Sequence, residues 1–77
     1  MLDLYYMQNC PYCKKVLNYL SANGIDFDAK DVSEKVNYDE LLSIGHIDQV
    51  PFLVDKSNGT SMYDSDMIIS YIEKQNR

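Results

Sequence analysis

Two cysteines three residues apart stand where an apolar run ends and a helical periodicity begins. That junction limits the folds open to this chain more than any other feature. Leu2 to Met7 (Leu-Asp-Leu-Tyr-Tyr-Met) is short, aromatic-rich and largely apolar, which predicts a buried strand. Asn9-Cys10-Pro11 breaks it. Pro11 suits the first turn of a helix, where its missing N–H would have no partner anyway. Val16, Leu17 and Leu20 follow helical spacing, with Tyr12 and Tyr19 nearby. Gly24 is a natural stop, so a helix is expected over about Pro11 to Asn23.

The rest of the chain continues the alternation. Ile25 to Val32 alternates loosely through Ile25, Phe27 and Ala29, which predicts a second strand with one wet face. Asn37-Tyr38-Asp39-Glu40 has the spacing of an N-cap with a Glu three residues on. It is expected to open a short helix through Leu41, Leu42 and Ile44 to Gly45. Pro51 to Val54 is a third strand, and Lys56-Ser57-Asn58-Gly59 supplies an Asn-Gly turn into a fourth from Thr60 to Tyr63. Ser65 to Gln75 carries Met67, Ile68, Ile69, Tyr71 and Ile72 at helical spacing, with Asp64 or Ser65 as its cap. The expected fold is α/β, in the order β-α-β-α-β-β-α. A right-handed first crossover gives a parallel pair and the Asn-Gly turn an antiparallel pair. The result is a four-stranded mixed sheet with three helices, on both of its faces.

Seventy-seven residues are expected to form one domain over 1–77. A chain this short buries only about 60–65% of its unfolded surface, so each core residue matters. The hydrophobic share of 45% is that of a folded globular chain. A net charge of −5 speaks against nucleic acid and acidic membrane surfaces as partners. The distribution of charge is uneven. No acid occurs between Leu4 and Asn23, while Lys14 and Lys15 directly follow the cysteines. No export signal or membrane span is legible, so the expected compartment is the reducing cytoplasm, where a permanent disulfide is unusual. Two cysteines there point to redox chemistry or metal.

At i and i+3 on a first helical turn, the Cβ atoms of Cys10 and Cys13 lie about 5–6 Å apart. A disulfide needs roughly 3.5–4.5 Å, which a modest adjustment supplies. Free N–H groups and the positive end of the helix favour a thiolate at Cys10. Pro11 at the helix start and Lys14 and Lys15 nearby support that charge, while Cys13, one turn inside, is shielded. Cys10 is therefore expected to attack and Cys13 to resolve. A structural zinc site wants four ligands, and two cysteines with the single His46 make three. No metal site is expected.

Cys10-Pro11-Tyr12-Cys13 directly after a first strand resembles the active site of dithiol glutaredoxins, and Val50-Pro51 is similar to their second hallmark. The element order fits the thioredoxin-like fold, so the resemblance spans essentially the whole chain. It implies reduction of protein disulfides and of glutathione mixed disulfides, with glutathione as reductant and co-substrate and no permanently bound cofactor. It implies that Cys10 forms the mixed disulfide, that Tyr12 flanks the bound tripeptide and that Pro51 is cis. The backbone of Val50, beside Gln49, would pair with the cysteinyl part of glutathione. Ser65 and Asp66, with Asp64, would take its γ-glutamyl end. A monomer without nucleic-acid or membrane partners is expected.

The chain also departs from that pattern. Met7 stands where glutaredoxins carry a basic residue, Gln49 where they carry Thr, and Met62-Tyr63 where they carry Gly-Gly. Met62 to Ile68 instead resembles the N-terminal domain of glutathione transferases, in which an acid-Ser pair holds the γ-glutamyl group. Gln49 to Leu53 resembles that family too, whose helical second domain has no counterpart in these residues. Two other functions stay open on sequence. One is a glutaredoxin-like electron donor, for example to ribonucleotide reductase, reduced by thioredoxin reductase. The other is a glutathione-ligated iron–sulfur or zinc module.

Overall fold

Alternation along the two central strands decides which helix covers which face. The computed structural model describes residues 1–75. β1 (Leu2–Tyr6) lies between β2 (Phe27–Asp31) and β3 (Phe52–Asp55), and β4 (Thr60–Tyr63) pairs with β3, giving the order β2-β1-β3-β4. β1 and β2 are parallel; β1–β3 and β3–β4 are antiparallel, with Leu4 opposite Leu53, Tyr5 opposite Phe52 and Phe52 opposite Tyr63. Successive side chains point to opposite faces, so Leu4 and Leu53 share one face and Tyr5 and Phe52 the other.

α1 (Pro11–Ala22) and α3 (Ser65–Gln75) cover the first face. Val16 and Leu20 from α1 and Ile68 and Ile72 from α3 close on Leu4 and Leu53 in one buried aliphatic cluster. α2 (Lys35–Gly45) covers the second face, where Leu41 packs with Tyr5 and Phe52, and Val32, Val50, Val54 and Tyr63 surround them. The Phe52 ring lies 5.7 Å from that of Tyr5 and 4.5 Å from that of Tyr63. Each large apolar side chain so buried contributes about 1.5–3 kcal/mol.

The expected order of elements is the observed one, and the differences lie at the ends. α1 stops at Ala22, and Gly24 follows its Asn23 cap with a φ of 62°. Ile25 N–H then reaches back to Leu20 C=O at 3.0 Å, and this left-handed stop turns the chain toward β2. β1 ends at Tyr6 rather than Met7, and β2 spans a narrower stretch than Ile25 to Val32. β3 runs one residue later than expected, from Phe52 to Asp55. The N-cap expected at Asn37 is a correction. α2 begins at Lys35 behind Glu34. Asn37 lies buried inside the first turn, its amide donating to Asp31 C=O at 2.9 Å and Glu34 Oε2 at 3.1 Å. Its side chain thus ties α2 to the end of β2 instead of closing the helix. No helix among the described residues is long and apolar enough to cross a membrane.

Candidate functional site

Burial of Val16 and Leu20 fixes α1 against the sheet, and this brings its N-terminus to the end of β1. Cys10 is the N-cap, in an extended conformation with φ −96° and ψ 114°. Its Sγ accepts the Cys13 N–H at 3.2 Å, one of the helix's otherwise unpaired first-turn donors. Pro11 occupies the start of the helix as expected. Both cysteines are free thiols, Cys10 half-buried and Cys13 fully buried. Burial first, and then the hydrogen bond with Cys10, push the Cys13 thiol up to about 12, partly opposed by the Met7 backbone and with the smallest contribution from the charge of Cys10. The two sulfurs are therefore unequal: one is accessible, and the other keeps its proton at neutral pH.

A groove of about 270 Å³ is lined by Tyr12, two residues after Cys10, and by Gln49, Val50, Pro51, Asp64 and Ser65. Three separate parts of the chain meet there: the first turn of α1, the loop into β3 and the start of α3. The Val50–Pro51 peptide bond is cis, and Pro51 is buried. Ser65 is the buried first residue of α3, while Asp64 before it is exposed with a φ of 78°. Asp64 C=O accepts the Ile68 N–H at 3.0 Å, which starts the helix.

Two expected site residues lie elsewhere. Asp66 does not line the groove; its Oδ1 pairs with Lys15 Nζ at 2.5 Å on the surface between α3 and α1. Lys14 is exposed, and no side-chain contact joins it to the Cys10 sulfur among the described residues. Among those residues no three His, Cys, Asp or Glu side chains gather as a metal would require.

The family model described as "Glutathione S-transferase, N-terminal domain" matches residues 4–77. The chain belongs to that family. The domain is 38% identical over 65 residues to isoprene-epoxide–glutathione S-transferase of Rhodococcus sp. (strain AD45), a match covering 84% of this chain and 25% of the relative. It therefore spans a quarter of that protein's length. Among solved structures it is similar to glutathione transferase Omega 3C from Trametes versicolor, with TM-score 0.82 and 28% identity over 96% of this chain and 33% of that one. A thioredoxin-like protein matches with TM-score 0.73 and 22% identity over 82% of this chain and 84% of that one, and so shares the fold alone. The transferase likeness expected locally for Met62 to Ile68 thus extends along nearly the whole domain.

The parts played by two residues of this transferase-family domain escape a reading of the sequence. Lys15, expected to add positive charge near Cys10, is the partner of Asp66, a pairing that exists only because α1 and α3 pack side by side. Tyr63, visible in sequence only as a departure at one position, reaches from β4 to the loop that carries Gln49 and Val50. The available signal was an aromatic residue two positions before the helix-opening Ser65.

Proposed function

We propose that this domain is a glutathione-dependent thiol–disulfide oxidoreductase of glutaredoxin type, with Cys10 as nucleophile and Cys13 as resolving thiol. The observation that carries the reading is the half-buried Cys10 sulfur at the N-terminus of α1, accepting a backbone N–H in the same helical turn whose Tyr12 lines a groove with five other expected glutathione contacts. Membership of a glutathione transferase family supports glutathione as the small thiol. In this reading Val50 offers its backbone to the cysteinyl part as an added strand would, and Asp64 and Ser65 take the γ-glutamyl end.

The Cys10 thiolate attacks one sulfur of a glutathione mixed disulfide, the other sulfur leaves as a thiolate, and Cys10 carries glutathione. A second glutathione thiolate attacks that bond, so that oxidised glutathione leaves and the Cys10 thiolate returns. With a protein disulfide, the Cys10 thiolate attacks one of its sulfurs and the other leaves as a thiolate; Cys13 then passes its proton to that thiolate and attacks the Cys10 sulfur. This releases the reduced protein and leaves a Cys10–Cys13 disulfide for two glutathiones to reduce. The reading places the domain in the cytoplasm, acting as a monomer on protein disulfides.

A second reading is glutathione conjugation. It is favoured by the 38% identity to a protein named for an isoprene epoxide and glutathione. There the glutathione sulfur itself would be the nucleophile, and Cys10 would be dispensable.

The test is NADPH consumption with a glutathione–hydroxyethyl mixed disulfide, glutathione and glutathione reductase. Turnover lost in Cys10→Ser and kept in Cys13→Ser supports the proposal. Turnover only with thioredoxin reductase would move it to the electron-donor alternative, while Cys10-independent conjugation of an epoxide would favour the second reading.

A further inference from the structure

The loop between α2 and β3 has to hold Gln49 and Val50 at the groove, yet its own side chains do little to fix it: His46, Ile47, Asp48 and Gln49 are all exposed. Asp48 meets the Tyr38 hydroxyl of α2, and the loop backbone is held from β4. The Tyr63 hydroxyl donates to Ile47 C=O at 2.7 Å and accepts the Ile47 N–H at 3.2 Å. One hydroxyl thus satisfies both backbone groups of one loop residue. The same Ile47 C=O accepts the Gln49 N–H at 2.9 Å, so the fixed carbonyl in turn fixes the residue next to Val50. The Tyr63 ring is itself immobilised, lying 4.5 Å from Phe52, its cross-strand partner and the residue that follows Pro51. The last residue of α2 is shaped to admit it: a methyl group at Gly45 would overlap the Tyr63 hydroxyl and crowd the Phe52 ring.

We infer that Tyr63 is a positioning residue for glutathione, setting the backbone of Gln49 and Val50 through Ile47. The inference rests on the proposed glutathione reading of the groove. Tyr63 touches neither sulfur nor groove, so its effect falls on binding and leaves the chemical step alone. Removing the hydroxyl deletes two neutral hydrogen bonds to one residue. This should raise KM for glutathione roughly threefold to tenfold, the range expected when a loop loses bonds of this strength. kcat and the rate of Cys10 alkylation should stay at the parent value.

The experiment compares the parent with Tyr63→Phe, which keeps the ring on Phe52, and with Gly45→Ala, which displaces the hydroxyl while leaving Tyr63 in the sequence. Three quantities are read: KM and kcat with glutathione, calorimetric affinity for glutathione in the Cys10→Ser background, and amide hydrogen exchange at Ile47. The expected result is faster exchange at Ile47 and weaker glutathione binding in both variants, with kcat unchanged. Faster exchange with unchanged affinity and KM overturns the inference, since the clamp would then be structural only. A fall in kcat with KM unchanged overturns it too. A parent protein that neither binds nor turns over glutathione would overturn the functional reading itself, and that outcome is visible before any variant is made.

Discussion

On the α1/α3 face of the sheet the buried cluster is aliphatic throughout, from Leu4 and Leu53 to Val16, Leu20, Ile68 and Ile72. On the α2 face it is largely aromatic, and its tyrosine rings end in hydroxyls that reach out of the core: Tyr5 donates to Glu40 at 2.9 Å and Tyr63 clamps Ile47. Tyr38, on α2, adds a bond to Asp48 in the same loop. The difference follows the two halves of the site. The cysteines ride on a helix held by burial, which has no preferred direction, so α1 needs only a well-filled face. The backbone beside the groove is held by hydrogen bonds, which set direction as well as distance. Aliphatic packing supplies the stability, and the aromatic hydroxyls supply the aim.

The largest effect that could break this contrast concerns Leu53. Leu53→Ala empties the centre of the aliphatic cluster and should cost about 2–5 kcal/mol in chemical denaturation, a large part of what a small domain has. A loss below about 1 kcal/mol would mean that the face collapses readily, and the contrast would fail.

The two faces also differ in which end of the pH scale they respond to. On the aliphatic side, the Ser57 and Tyr71 hydroxyls donate to Asp55 at 2.6 Å each and hold its carboxyl below the usual carboxylate range. Because the folded value lies below the unfolded value of about 3.9, this stabilisation is present at neutral pH and lost as pH falls through the folded value. Asp55→Asn should cost about 1.5–3 kcal/mol at neutral pH, with the gap from the parent closing in acid. A gap that stays constant into acid would show that the charge is not what those hydroxyls stabilise.

On the aromatic side, burial and then Glu40 raise the Tyr5 phenol well above its ordinary value. Its contribution is complete below the unfolded value of about 10 and is lost as pH rises toward the folded one. Tyr5→Phe is expected to cost about 1 kcal/mol at neutral pH, with the gap closing in alkali. A gap that widens there would reverse the sign.

The smallest effect sharpens the comparison. Lys15 and Asp66 are 54% and 75% exposed, and an ion pair in that setting contributes little and is screened by salt. Lys15→Met should shift the unfolding midpoint slightly at low salt and not at all at high salt. A large, salt-sensitive loss would show that charge, not aliphatic packing, joins α1 to α3.

The element order was legible because Val16, Leu17 and Leu20, and again Ile68 and Ile72, carry helical spacing on either side of short apolar strands, and Gly24 marks a stop that only backbone geometry needs. The start of α2 was not. Asn37 has the chemistry of a cap, and sequence alone cannot weigh that against the Asp31 carbonyl its amide finds in the fold. The cysteines and the groove residues were legible as motifs. Asp66 was read for a ligand and is paired with Lys15, because helix–helix proximity is a tertiary fact. Tyr63 was equally hidden, since its partner lies sixteen residues away across a strand and a loop.

The fit of the Tyr63 hydroxyl over Gly45 has a consequence for how this domain can vary. The two positions amount to one choice made twice. A side chain at 45 displaces the ring at 63, and shortening 63 removes the closest of the contacts that keep position 45 glycine, leaving the Phe52 ring as the other. Substitution patterns at these sites should therefore be read jointly, and a redesign that treats them independently will find each change worse alone than the two together.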